Sequence, residues 1–552
     1  MSLELRGIAA APGVASAAPW IYRPPSAADG LARPVADAAA DAAAELEAMA
    51  ATLRGEGSNA EAEILDAQAL MAADPELVDA ATALERDGTH PVEAILTVGA
   101  QVAESLAAID DEVLAARAAD VRDVAERIAR HVTGAPPPRL PQRSIVVAED
   151  LAPSVTVELD RSLLVGIALQ GGSRTSHAAI LARALGIPAV VGVPGVMRRA
   201  AGVREMAIDG GSGTVILEPD GEAREQLATA VARHEADRAA DDALRTRPLV
   251  TSDGHRVICA ANVGAPDEVE RAVAAGAEAV GLFRTEFAFA GRTAPGEDDQ
   301  ADAYERALRA ADGAHMVFRL ADIGGDKPLP YVDIGPEANP FLGVRGIRLA
   351  GRHPDLFVTQ LRAILRASAA TGSVAAIMAP MVADEADLML YRTLVEQAQA
   401  AVPDAPAPEV GIMVEVPAAV SLADRLAAQV DFMSIGTNDL TQYLLAADRS
   451  NPALGHRQDP LHPAVLRAVR QVVEAAASTE CRVAVCGEMA GDPAGAMLLV
   501  GLGVGELSMG PEAFGPVKRA VASHSRAALE ALATEALALG SAAEVRAKVA
   551  AA

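Results

Sequence analysis

In the second half of this sequence, polar side chains gather at the ends of apolar runs. Arg284 closes one run, Arg319 and Asp322 the next, then Glu415, then Asn438 and Asp439, and finally Cys486 and Glu488. A buried strand has no packing reason to end again and again in Arg or Glu. Any one of these residues could simply meet solvent at its strand end, but that is a poor account of the whole set. Glu415 and Asp439 are candidate ligands for a hard cation. Two carboxylates plus substrate oxygens suit Mg²⁺, which takes few protein ligands. Arg284 and Arg319, with Arg345 and Arg449, would supply guanidinium forks for phosphate and carboxylate groups. Each alone is more often a structural ion-pair partner. Four of them converging in an acidic chain point to a small anionic substrate. Lys327 stands in DIGGDKP, where backbone N–H groups beside glycines can also meet an anion.

Two further residues stand out. His177 lies in GGSRTSH (171–177), just ahead of a helical run. Thr175 or Ser176 can cap that helix, which puts the imidazole near a positive helix end and favours an anion bonded to the ring. A lone histidine is usually a packed or capping side chain. No second His or Cys stands at zinc-ligand spacing. Cys486 sits in VAVCGEMAG (483–491). A lone cysteine is usually a small buried apolar side chain. No neighbouring histidine would activate it as a nucleophile, whereas a general acid needs only placement and a suitable pKa.

The elements that must position these groups can be read from hydrophobic periodicity. From residue 250 onward, apolar runs over 257–262, 279–286, 316–324, 375–380, 411–416, 431–439, 482–488 and 506–510 alternate with helical patterns. Eight strands with intervening helices is the count for a (β/α)8 barrel, whose active sites lie at the C-terminal strand ends. An open doubly wound sheet is the runner-up, but no G-x-G-x-x-G follows a first strand. Upstream, residues 1–22 read as a strand pair with Pro12-Gly13 as the turn. Residues 35–133 read as successive helices broken at Asp74-Pro75 and before Pro91. GAPPPRLPQ (134–142) is a proline-rich linker. Residues 143–225 read as a small α/β domain completed by 1–22, with a helix over 178–186 ending at Gly186. Residues 222–248 read as a charged helical connector.

Composition narrows the function. The chain has 552 residues, enough for two to four domains, and a net charge of −28. Such a charge argues against nucleic-acid binding through a broad basic face, and against anionic membrane surfaces. Residues 29–140 carry 22 acidic and 8 basic side chains. This serves solubility, and it would also suit docking of a basic partner. Three cysteines give no disulfide framework. No apolar run is long enough to span a membrane and no secretory leader is evident. The expectation is a cytoplasmic protein.

These motifs, in this order, resemble one family. GIAAAPGVA (7–15), GGSRTSHAAILARALGIPAVVG (171–192), GLFRTEFAF (281–289), ADIGGDKP (321–328), NPFLGVRGIR (339–348), IMVEVPAA (412–419), GTNDLTQY (436–443) and CGEMAGDP (486–493) resemble enzyme I of the bacterial sugar phosphotransferase system, the PEP–protein phosphotransferases. Each motif alone is moderately specific; their order and spacing are strongly so. The resemblance implies a multidomain α/β fold. A helical carrier-docking domain (25–140) is inserted in a phosphohistidine swivelling α/β domain (1–22 plus 143–225). A helical linker (222–248) leads to a C-terminal (β/α)8 TIM-type barrel (250–540) that binds phosphoenolpyruvate (PEP) and forms a homodimer. It implies that His177 is the phosphohistidine. Arg284, Arg319, Asn438 and Arg449 would bind PEP, Glu415 and Asp439 would hold Mg²⁺, and Cys486 would protonate the enolate to give pyruvate. The partner implied is the phosphocarrier HPr. The chain departs from the usual family pattern at Ser173, at RLAD (319–322), at DRSN (448–451) and at RQDP (457–460).

Two alternatives come from other classes. Pyruvate phosphate dikinase and PEP synthase share the phosphohistidine and barrel modules but need a large ATP-binding domain, for which there is no room here. A non-enzymatic phosphohistidine regulator would have no use for the intact Arg, Glu, Asp and Cys set.

Overall fold

A computed structural model describes residues 2–27, 32–55, 59–107, 112–151, 155, 158–172, 176, 178–179, 182–183, 186–289, 291, 293–327, 329–449 and 451–552. His177 therefore lies outside the described residues, as do Ser173 and part of the helix expected over 178–186. The chain forms two compact units, residues 1–236 and 237–552. The boundary falls inside a helix.

In the first unit, strands β1 (Leu3–Arg6), β2 (Ile8–Ala11) and β3 (Val14–Ile21) precede five helices: α1 (Val35–Gly55), α2 (Asn59–Ala72), α3 (Pro75–Arg86), α4 (Pro91–Ala107) and α5 (Glu112–Thr133). There follow β4 (Ser144–Ala148), β5 (Leu164–Leu169), β6 (Ala189–Val191), β7 (Met206–Asp209), β8 (Thr214–Leu217) and the boundary helix α6 (Gly221–Arg245). The eight strands make one sheet in the order β1-β8-β7-β3-β4-β5-β6-β2, with apolar clusters on both faces. The helices bury a separate core around Leu46, Ile95 and Ile128. Both proline breaks are helix starts, and Asp74 caps α3 by accepting from the Glu76 N–H.

The N-terminus holds three strands rather than a pair. β1 pairs with β8, β2 with β6 and β3 with β7. The chain changes neighbour at Gly7, whose N–H donates to Gly213 O, and a side chain there would strike Val191 O at 2.6 Å. Only glycine passes this close to another backbone.

In the second unit, β9 (Leu249–Val250) pairs antiparallel with β10 (Arg256–Val263). β10 begins a closed parallel barrel: β11 (Ala279–Arg284), β12 (Met316–Arg319), β13 (Ala376–Ala379), β14 (Glu409–Val414), β15 (Phe432–Ile435), β16 (Arg482–Val485) and β17 (Glu506–Met509), the last pairing back to β10. All eight expected strands are present, but several stop sooner than expected. β12 ends at Arg319 and β15 at Ile435, because the polar residues beyond them bond to side chains and loops instead of the ladder. The Asp322 N–H, for instance, donates to the Glu286 carboxylate. Among the described residues no helix is long and apolar enough to cross a membrane.

Candidate active site

The barrel's C-terminal strand ends enclose a cavity of about 330 Å³. Arg284 and Arg319, the last residues of β11 and β12, line it. So do Asp322, Lys327, Glu415, Asn438, Asp439, Arg449 and Cys486. Arg284 is exposed and Arg319 buried. Arg319 Nη2 donates to Glu286 Oε1 at 2.7 Å, and the same oxygen accepts from Asp322 N at 2.8 Å. Burial works against the Arg319 charge, yet Glu286, Asp322 and Glu415 hold its pKa above the ordinary value.

Asp322 is 1% exposed and clasps Arg345 with both carboxylate oxygens, while Lys327 Nζ lies 3.1 Å away. Burial alone would raise its pKa. Lys327, Arg319 and Arg345 overcome that and hold it well below the carboxylate range. Arg345 is itself sealed from solvent and also faces Asp326 at 3.1 Å and Asp439 at 3.6 Å. Arg449 lies 3.4 Å from Asp439 Oδ1 and 5.3 Å from the centre of the Phe341 ring.

Glu415 and Asp439 are both buried. Glu415 Oε1 accepts from Met381 N at 2.8 Å. Burial first, then the charges of Asp439 and Asp322, push its pKa up to about 8. Asp439 Oδ1 is a buried oxygen with no hydrogen-bond partner; Arg449 approaches it without hydrogen-bond geometry. A raised carboxyl beside an orphaned carboxylate oxygen is a place short of positive charge. The pair fits a divalent cation. Among the described residues no group of three His, Cys, Asp or Glu could hold a metal ion. The remaining positions of such a cation would fall to substrate oxygens and water.

Cys486 follows β16 directly. Its carbonyl accepts from Asn262 Nδ2 at 3.0 Å, and its thiol lies 3.8 Å from Ile435 O. Burial pushes the thiol up to about 11. The next residue must be glycine, because a Cβ at Gly487 would come within 2.0 Å of Thr437 Oγ1. Asn438 and Glu488 are tied reciprocally: Glu488 N donates to Asn438 Oδ1 at 2.9 Å and Asn438 Nδ2 reaches Glu488 Oε1 at 3.4 Å.

The structure brings together Arg284, Arg319, Glu415, Asn438, Asp439, Arg449 and Cys486. Two sequence expectations need correction. Asn438 and Asp439 do not end a strand; they stand in the first turn of the helix Thr437–Leu445. Arg345 does not line the cavity but braces it from beneath. Glu286, Asp326 and Asn262 escaped sequence reasoning. The available signal for Glu286 was its position two residues past a strand-ending arginine.

Family models match in three successive stretches. Residues 6–117 match the N-terminal domain of PEP-utilising enzymes, 140–213 their mobile domain, and 238–526 their PEP-binding domain. The last alone covers over half of the chain. This chain belongs to the PEP-utilising enzyme family. Enzymes of this family use a divalent metal ion, in keeping with the Glu415–Asp439 pair. The chain is 38% identical over 564 residues to the phosphoenolpyruvate-protein phosphotransferase of Bacillus subtilis, covering 98% of both proteins. It is 41% identical to the protein of the same name from Streptomyces coelicolor, covering 91% of this chain and 89% of that one. It is 43% identical over 493 residues to a multiphosphoryl transfer protein of Xanthomonas campestris pv. campestris, which takes in 88% of this chain. This PEP-utilising enzyme spans only 59% of that relative's length.

Proposed function

We propose that this protein is a PEP–protein phosphotransferase of the enzyme I type. It takes the phosphoryl group of PEP onto His177, releases pyruvate, and passes the phosphoryl group to a histidine of the carrier HPr, which energises sugar uptake. The observation that carries this reading is the barrel-mouth cavity, where basic forks, a paired carboxylate site and a protonated thiol face one small space.

In this reading Arg284, Arg319 and Arg449 grip the phosphate and carboxylate of PEP, Asn438 orients it, and Lys327 adds a further positive charge. Glu415 and Asp439 hold Mg²⁺, which when bound would neutralise phosphate charge as the bond to the bridging oxygen lengthens. Phosphoryl transfer needs alignment and charge neutralisation more than covalent help. The His177 imidazole attacks phosphorus, an N–P bond forms and the P–O bond to the enol oxygen breaks. The enolate then takes a proton at its methylene carbon from the Cys486 thiol, giving pyruvate and a thiolate that regains its proton before the next turnover. A thiol held near 11 stays protonated at neutral pH, as a donor must. Asp322 and Arg345 position Arg319 and Asp439 rather than touching substrate.

The acidic helices α1–α5 would dock HPr, and the barrel would carry a homodimer interface. The reading puts the enzyme in the cytoplasm. The test is to incubate the purified protein with PEP and Mg²⁺ and examine intact protein and peptides by mass spectrometry. An acid-labile phosphate on the His177 peptide, with pyruvate released, is expected. No phosphate with fresh PEP and Mg²⁺ present would overturn the reading.

A further inference from the structure

The barrel holds a second cavity, of about 390 Å³, around the N-terminal ends of its strands, away from the mouth. Eight-stranded barrels are ordinarily filled by layers of bulky side chains. Here the small residues Ser434 and Ala484 leave the lower layer open, and the space falls within the range of small-molecule sites.

One charged group aimed into it lacks a partner. Glu506, the first residue of β17, points inward, since a Cβ at Gly281 would lie 2.6 Å from Glu506 Oε1. No described residue gives its carboxylate a hydrogen bond or an ion pair. The nearest cations are committed elsewhere: His315 Nε2 lies 2.9 Å from Glu409 and Arg482 contacts the same carboxylate. The Ser434 hydroxyl, buried in the same wall, faces the Cys486 thiol and keeps a lone pair for a further donor. Val317 and Phe432 supply apolar wall. His315 and Arg482 both turn to Glu409, which leaves the Glu506 carboxylate without a cation of its own.

We propose that this cavity binds a small organic cation, a protonated primary amine on a short hydrocarbon chain. Its ammonium pairs with Glu506 and bonds to Ser434, and its chain lies against Phe432 and Val317. Burial pushes the Glu506 carboxyl upward, so an ammonium beside it relieves a cost already present in the fold. Glu506 takes no part in the phosphotransfer reading, and the site stands whether or not that reading does.

The test uses the full chain at pH 7, with n-hexylamine, hexan-1-ol and hexanoate as probes, read by saturation-transfer NMR and thermal melting. Saturable binding of hexylamine is expected, unaffected by saturating PEP, with no binding of hexanoate. Glu506→Gln should weaken it by roughly tenfold or more, and Ser434→Ala by less. Glu506→Gln replaces an unpartnered buried charge with a neutral isostere, so its melting temperature should not fall. Were it nevertheless to unfold, Ser434→Ala carries the test, and unchanged affinity there overturns the proposal. So does the absence of saturable binding, equal binding of hexan-1-ol, or undiminished affinity in Glu506→Gln.

Discussion

In the proposed reading the phosphate grip rests on Glu286, and its removal is the sharpest test of the site's architecture. Its Oε1 accepts from the Arg319 guanidinium at 2.7 Å and from the Asp322 N–H at 2.8 Å. A hydrogen bond to a charged group contributes about 1.5–3 kcal/mol. In Glu286→Ala both bonds go, and Arg319, whose Nε already lacks a partner, is left to swing toward Asp322 or Glu415. We expect a loss of about 3 kcal/mol in transition-state binding, or roughly a hundredfold in kcat/KM for PEP. Glu286→Gln keeps an acceptor but not the charge, so its loss should be about tenfold. The assay is isotope exchange between PEP and pyruvate over a range of PEP concentrations, with thermal melts to check folding. A folded Glu286→Ala protein with kcat/KM within about twofold of the parent would refute the argument, because Arg319 would then hold its place unaided.

Three other outcomes follow from the same geometry. Cys486→Ala should slow pyruvate formation by about 10²–10⁴-fold, the usual worth of a general acid, with little change in melting temperature; near-normal turnover would remove the thiol from the mechanism. His177→Ala should abolish phosphate incorporation while calorimetry still detects PEP binding, and loss of binding would refute the division of labour between the histidine and the barrel. Glu126, beside Asp123 and hydrogen-bonded to Tyr22, is pushed by burial from 4.5 up to about 7. A raised carboxyl pKa contributes stability below the unfolded value that is lost as pH rises through 7. Glu126→Gln should therefore raise the melting temperature at pH 8 and change little at pH 5. The gain should be about 2 kcal/mol after allowing for solvent screening. Trp20, the one tryptophan in the chain, lines a cavity together with Tyr22 and Glu126 and reports on it by fluorescence. Equal shifts at both pH values would sink this account.

Much of the barrel could be read from the sequence because each strand is a short apolar run closed by a polar residue. The same feature made the strands read too long. In MVFRLADIG the run stays apolar past Arg319, but Asp322 turns away to meet Arg345, a partner far along the chain. Residue type was legible and exposure was not: Arg345 reads like the other arginines of the set, yet an aspartate seals it. Glu286 offered only its place two residues past a strand-ending arginine, since its role lies in two contacts made across the barrel mouth. The barrel floor gave no signal at all. Glu506 and Ser434 look like ordinary strand residues until the closure of β17 onto β10 turns them inward.

The charges at the mouth explain why metal and substrate should depend on each other. Arg284, Arg319, Lys327, Arg345 and Arg449 are five cations, and Glu286, Asp322, Asp326, Glu415 and Asp439 are five carboxylates. With all ionised they cancel, which lets an arginine cluster be buried without repelling itself. A balanced site has no surplus charge for a substrate that arrives with up to three negative charges. Nor does it have surplus for Glu415, whose carboxyl is pushed up to about 8 by burial and then by the charges of Asp439 and Asp322. In the proposed reading a divalent ion at Glu415 and Asp439 would answer both needs, holding the carboxylates ionised and offsetting most of the substrate's charge. PEP in turn would supply oxygens that two protein ligands leave missing. Neither ligand alone completes the electrostatics, and so each should raise the affinity of the other.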